Sequence, residues 1–213
     1  MPKRKRSFSP IGYDAIGERY EQIYGANQTQ IQAGEWLVRQ LSPGSSVLDI
    51  GCGTGVPTAK QLSKAGLKVL GIDNSTEMIR LARLNVTSAE FTEMNVKKLR
   101  LGERSFDAVV AFFSLLHVEK GLFPKVLAQV CNSLKPQGYF ILSMIEGEAN
   151  AKGKLLGQSL HFTAYPLDQL ESVVESAGFE VLQTHAAEFV PRMRNAEPEM
   201  QFFLYCRRRS SEP

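Results

Sequence analysis

"VLDIGCGTG", Val47 to Gly55, ends an apolar run on one aspartate and then sets three glycines into five positions. The run reads as a buried strand, and a carboxylate inside it needs a partner. A glycine-rich turn between a strand and a helix lets backbone N–H groups approach a ligand near the positive end of the helix dipole. Pro57 lies two residues beyond Gly55, where the first helical turn tolerates a missing N–H, and Thr54 or Thr58 is available as a cap. The stretch therefore predicts strand, ligand loop and helix in succession. Its spacing narrows the ligand. A dinucleotide fingerprint has glycine at the sixth position, where this chain has Val56, and the Gly-Lys-Ser/Thr ending of a phosphate loop is absent. Asp-x-Gly-x-Gly-x-Gly, Asp49 to Gly55, would repel a pyrophosphate and suits a cation.

Outward from this stretch, short apolar runs alternate with amphipathic segments. The runs are Val47–Ile50, Val69–Ile72, an ambiguous Glu90–Met94, Phe106–Phe112 and Tyr139–Ile145, with helical segments at 56–65, 75–86 and 120–134 between them. Strands separated by helices of ten or more residues imply βαβ units and a parallel sheet covered on both faces. "AVVAFF" and "YFILSMI" lack polar alternation, as doubly buried strands should. Leu167–Ala177 reads as a further helix, stopped by Gly178 at C′, followed by strands Phe179–Leu182 and Phe202–Cys206 in an antiparallel return. Upstream, Tyr13, Ile16, Tyr20, Ile23 and Tyr24, then Ile31, Trp36, Leu37 and Leu41, give a helical segment over 13–41 broken near Gly25–Asn27.

The chain has 213 residues, 43% of them hydrophobic, enough for one substantial core and one domain. Its charge of +3 resides at the ends: setting aside residues 1–6 and 207–213 leaves 18 basic against 21 acidic side chains, a net of −3. Lys3, Arg4, Lys5 and Arg6 read as part of a solvated, disordered tail over 1–12, with a nuclear-import signal or a phosphate-attracting arm as alternatives; 208–213 reads as a second tail. Cys52, Cys131 and Cys206 have no metal-like spacing, and the expectation is no metal and a reducing, cytoplasmic setting. No apolar run approaches the roughly 20 residues that span a bilayer. No aromatic and basic stripe points to nucleic acid.

"VLDIGCGTG" resembles motif I of the class I S-adenosylmethionine-dependent methyltransferases, and further stretches match that family in order. "VLGID" ends on Asp73 and runs into "NSTEMI"; "FDAVVAFFSLLHV" spans Phe106–Val118; "SLKPQGYFILS" spans Ser133–Ser143; "LDQLESVVESAGFEVLQ" follows. The resemblance covers about residues 45–206. It implies a Rossmann-like α/β fold whose seven-stranded, mostly parallel sheet has order 3-2-1-4-5-7-6, the last strand antiparallel. Helices cover both faces, with an N-terminal cap at 13–41 and a lid at 146–166 within one domain, 13–207. It implies S-adenosylmethionine as cofactor, held by Asp49, Gly51, Cys52, Gly53 and Gly55 at its amino-acid end, where Asp49 also orients the loop. Asp73, with Asn74 beside it, takes the ribose hydroxyls. Met78 packs beside the adenine, Asn95 and the Val96 amide bind its edge, and Phe112 and Tyr20 lie close by. Asn95 departs from the family's usual aspartate, although its carbonyl oxygen still accepts.

The resemblance implies methyl transfer to a small-molecule acceptor through oxygen, nitrogen, sulfur or carbon, by a monomer or homodimer. An enzyme that binds the cofactor but catalyses a cyclisation or rearrangement is one alternative, and a regulatory binding protein is another. Alignment of the acceptor behind the methyl and exclusion of water are the main demands, with a base needed when the acceptor keeps its proton. His117 is the first candidate base, although a histidine at a strand end also serves simply to pack. Tyr13, Phe113, His161 and Tyr165 join it as candidate substrate contacts, with Tyr20, Tyr24 and Trp36 in the cap and Glu146–Pro166 as the long lid connection. Cys52 reads as a small loop filler rather than a reactive thiol.

Overall fold

The computed structural model describes residues 12–25, 27–98 and 103–210. The basic run at 3–6 lies outside them. Seven strands form the main sheet: β1 Ser46–Ile50, β2 Lys68–Asp73, β3 Glu90–Glu93, β4 Phe106–Phe112, β5 Leu134–Ile145, β8 Phe179–Phe189 and β9 Glu199–Arg208. Their order is β3-β2-β1-β4-β5-β9-β8, so the two last strands stand as seventh and sixth. β1 to β5 pair in parallel, and β9 runs antiparallel to both β5 and β8. The expected topology is present.

Both faces of the sheet are covered, which explains the runs without polar alternation. Leu48, Ile50, Val109, Phe140 and Leu142 pack on one side with Phe123, Val126 and Leu127 of α6 (Phe123–Ser133) and Leu170 and Val174 of α7 (Leu167–Ser176). Their sequence neighbours Val47, Ala108, Val110 and Ile141 face the other way. There they meet Leu37 of α3 (Gln28–Gln40), Leu62 of α4 (Thr58–Lys64) and Ile79 of α5 (Thr76–Asn85). Ser75 caps α5 by accepting from the Met78 amide at 3.1 Å, and Asn27 caps α3 by accepting from the Gln30 amide at 3.0 Å. Neither Thr54 nor Thr58 caps α4; Thr54 donates to Glu21 and Thr58 accepts from Gln30 instead.

Three further features differ from expectation. Besides the expected break near Gly25–Asn27, the N-terminal segment breaks once more at Gly17, whose φ of 53° separates α1 (Tyr13–Ile16) from α2 (Arg19–Tyr24) ahead of α3. The 146–166 connection carries a hairpin, β6 (Asn150–Leu155) and β7 (Gln158–Thr163), forming a separate two-stranded sheet. β8 and β9 extend well beyond their apolar centres, and β9 continues to Arg208 where the domain was expected to stop at 207. Arg207 pairs with Glu180 at 2.8 Å and the Arg209 amide donates to Gly178, so part of the basic C-terminus belongs to the fold.

Among the described residues, no helix is long and apolar enough to cross a membrane. Phe140 is fully buried and packs against Phe179 with ring centroids 4.9 Å apart. Phe140→Ala is expected to cost about 3–5 kcal/mol in urea unfolding. Leu84→Ala, at a position 66% exposed, is expected to change stability by no more than about 0.5 kcal/mol.

Candidate active site

β1 ends at Ile50 and the chain turns through Gly51 (φ 70°) and Gly53 (φ 54°), a left-handed backbone that side chains disfavour. A Cβ on Gly51 would also stand 2.2 Å from the Ser114 side chain. The Gly51 and Cys52 amides donate to the Ile72 carbonyl at 2.7 and 3.0 Å, and the Gly53 amide donates to Asp73 Oδ2 at 3.0 Å. Asp73 Oδ1 accepts from the Ser75 amide at 2.9 Å. The carboxylate that closes β2 therefore holds the loop that follows β1, an orienting role the sequence reading gave to Asp49.

Asp49 is 2% exposed, and its Oδ2 has no hydrogen-bond partner among the described residues. Burial, and then the nearby charge of Asp73, push its carboxyl up to about 7. An orphaned carboxylate oxygen in a cavity wall fits a group that brings positive charge, and S-adenosylmethionine carries an ammonium and a sulfonium. Burial also pushes the Cys52 thiol well up, which leaves it a poor nucleophile.

A cavity of about 290 Å³ crosses the ends of β1, β4, β5 and β9, from Asp49 and the glycine loop, past Phe112, Phe113 and Ile145, to Gln201 and Glu199. The cap closes over it. Tyr13, Tyr20 and Tyr24 line it, with Tyr13 edge-on to Tyr20 at 5.7 Å and Tyr20 stacked on Tyr24 at 5.0 Å. Asp14 fastens α1 by accepting from Ser75 Oγ at 2.5 Å and from the Glu77 amide at 3.2 Å. Glu21 fastens α2 by accepting from Thr54 Oγ1 at 3.1 Å.

His117 ends a 3-10 turn, Leu115–His117, just after β4. Its Nδ1 lies 2.7 Å from the His161 carbonyl, which only accepts, so Nδ1 carries the proton. Nε2 of the neutral ring then accepts from the Tyr13 hydroxyl at 2.7 Å. Burial holds the imidazole down at about 4 and pushes the Tyr13 phenol well up, so both are neutral at pH 7. Phe113 sits beside them with a φ of 52°, its amide donating to Ser143 Oγ at 2.9 Å; backbone strain in a non-glycine residue at a cavity wall is characteristic of binding sites.

Of the expected contacts, Asp49, Gly51, Cys52, Gly53, Phe112, Phe113, Tyr13, Tyr20 and His117 share this cavity. Gly55 faces Val86 and Phe91 instead. Asp73, Asn74, Met78, Asn95 and Val96 lie outside its lining; Met78 is buried in α5, and Asn95 Oδ1 accepts from the Lys97 amide at 2.9 Å. His161 contributes its carbonyl, while its ring Nε2 lies 3.2 Å from Thr163 Oγ1. Tyr165 lies outside the lining of this cavity, 3% exposed and packed on Phe123. Trp36 packs on Tyr139 and Tyr205, away from the cavity. Sequence reading missed Asn27, Gln201 and Glu199, and nothing in their spacing marked them. Among the described residues, no cluster of three metal-binding side chains occurs.

The Asp49 carboxyl has a folded value of about 7 against an ordinary 3.8, so its contribution to stability is full below about 4 and is lost as pH rises through about 7. The unliganded protein is expected to lose stability across that window by up to about 1.4 kcal/mol per pH unit from this group. Asp49→Asn should flatten the slope, as read by urea unfolding at a series of pH values; parallel slopes would mean an ordinary carboxyl.

Residues 47–138 match the family model described as a methyltransferase domain. The chain is 30% identical over 152 residues to an uncharacterised methyltransferase of Synechocystis, a match covering 68% of this chain and 71% of that one. It is 30% identical over 190 residues to a ubiquinone biosynthesis O-methyltransferase of Paracidovorax citrulli, covering 78% and 77%. The crystal structure of an S-adenosylmethionine-dependent methyltransferase from Methanosarcina mazei shares the fold with a TM-score of 0.71 at 22% identity, over 83% of this chain and 98% of that one. A glycine loop beside an orphaned carboxylate, on this sheet order and with relatives of this identity and coverage, makes the chain a member of the class I S-adenosylmethionine-dependent methyltransferases.

Proposed function

We propose that the enzyme methylates a small molecule through an acidic O–H or S–H group, with Tyr13 and His117 handling the proton. The observation that carries this reading is the 2.7 Å hydrogen bond from the Tyr13 hydroxyl to His117 Nε2 inside the cavity. When bound, the cofactor supplies an electrophilic methyl on a sulfonium with a good leaving group attached. Asp49 and the glycine loop, whose Gly51, Cys52 and Gly53 amides are already bonded to Ile72 and Asp73, border its amino-acid end, with Tyr20 and Phe112 alongside. Asp73 takes the ribose hydroxyls with the lone pairs left after bonding Gly53 and Ser75. Met78, Asn95 and the Val96 amide serve the adenine, as in the family.

Tyr13, Phe113 and the β6–β7 hairpin exclude water from the acceptor. The His161 carbonyl fixes the His117 tautomer, so the Nε2 lone pair points at the Tyr13 hydroxyl. An acceptor that displaces this hydroxyl passes its proton to Nε2, and one that donates to it gives its proton to the Tyr13 oxygen as Tyr13 gives its own to Nε2; in both cases the acceptor keeps the electron pair of the broken bond. A ring held neutral by burial takes protons weakly, which favours phenols and thiols over simple alcohols. Buried, free Cys52, Cys131 and Cys206 suit a reducing, cytoplasmic setting.

Incubation with methyl-labelled cofactor and a panel of phenols, thiols and alcohols tests the reading: label is expected in a phenol or thiol product. Substrate consumed without label entering the product would instead indicate a cyclisation or rearrangement. His117→Ala is expected to lower kcat about 100-fold or more, with the affinity for S-adenosylhomocysteine kept within about twofold. Asp73→Ala is expected to weaken that affinity by about 1–3 kcal/mol in calorimetry, and an unchanged value would remove Asp73 from the site.

A further inference from the structure

We propose that the β9 end of the cavity, around Glu199, is a subsite for a cationic amine carried by the acceptor substrate. The inference rests on the proposed methyl transfer and names its substrate class. Glu199 opens β9 and lines the cavity together with Gln201 and Asn27. Gln201 Nε2 donates to Glu199 Oε1 at 2.7 Å, and Asn27 Nδ2 donates to Gln201 Oε1 at 2.7 Å. Asn27 Oδ1 is in turn tied to the Gln30 amide. That chain fixes both amides, so neither can flip to present its carbonyl, and among the described residues Glu199 Oε2 remains the open acceptor.

Among the described residues, Glu199 has no ion-pair partner. Lys154 lines the same cavity from the exposed hairpin without pairing with it. The stacked rings of Tyr20 and Tyr24 also line the cavity, and the charge of Glu199 helps push both phenols up, which puts the carboxylate within electrostatic reach of them. Aromatic rings and an unpaired, half-buried carboxylate together select an ammonium. A carboxylate ligand would meet repulsion there, and a neutral hydroxyl would gain less.

This charge is separate from the one that suits the cofactor. Asp49 stands at the end of β1, and β4 and β5 lie between it and Glu199 on β9. An ammonium has no lone pair, so a nitrogen held at Glu199 is an anchor. The methyl acceptor is then a second group of the same molecule, reaching toward Tyr13 and His117.

Calorimetry on the protein loaded with S-adenosylhomocysteine tests this with tyramine, its neutral analogue tyrosol and its anionic analogue para-hydroxyphenylpropionate. Tyramine is expected to bind about tenfold tighter than tyrosol, with the carboxylate weakest. Glu199→Gln should erase the preference while S-adenosylhomocysteine affinity stays within about twofold, and Tyr24→Leu should reduce it. The proposal is overturned if tyramine fails to bind, if tyrosol matches it, if the preference survives Glu199→Gln, or if that variant loses S-adenosylhomocysteine and so places Glu199 on the cofactor. Failure of the wild-type protein to bind S-adenosylhomocysteine would overturn the cofactor assignment itself.

Discussion

Asp73 closes β2 with one carboxylate oxygen on the Gly53 amide and the other on the Ser75 amide. Those two bonds join three parts of the molecule. Gly53 belongs to the loop after β1, Ser75 caps α5, and the Ser75 hydroxyl donates to Asp14 of the cap. The position of α1 over the cavity is thereby referred to the same carboxylate that sets the glycine loop. A doubly covered parallel sheet exposes functional backbone only at its strand ends, and here one side chain organises that edge.

The edge also gathers charges that burial disfavours. Asp49 is held toward its neutral form, His117 is held neutral, and Glu199 is pushed up from its ordinary value, mainly by loss of water. None of the three lies in the ordinary packed core, where an uncompensated charge would only destabilise. Their concentration along one cavity is the pattern expected where a ligand completes the electrostatics.

Much of this was legible in the chain. Uninterrupted apolar runs located the central strands because both faces are buried, and the spacing from Asp49 to Gly55 located the loop. The β6–β7 hairpin escaped because its strands are half exposed and polar, and because its turn uses Leu156-Gly157 rather than a recognisable turn pair. Tyr165 and Trp36 could not be told from Tyr13 and Tyr20, since an aromatic ring packs equally well in a core or on a cavity wall. Glu199 and Gln201 precede the apolar centre of β9 and read as loop; the pairing of Gln201 with Ile145 and of Glu199 with Phe189 brings them to the site.

The hairpin stands outside the main sheet, joined to it at the Glu146–Tyr165 bridge, and its Leu155 and Leu156 line the cavity. An element so placed can change length or sequence without disturbing strand pairing, which makes it a natural cassette for altering which molecules are accepted. Yet the same hairpin supplies the His161 carbonyl that sets the tautomer of His117. Divergence in this segment therefore cannot retune selectivity alone. Each exchange of the cassette also resets the proton chemistry, so new substrates and new basicity are inherited together.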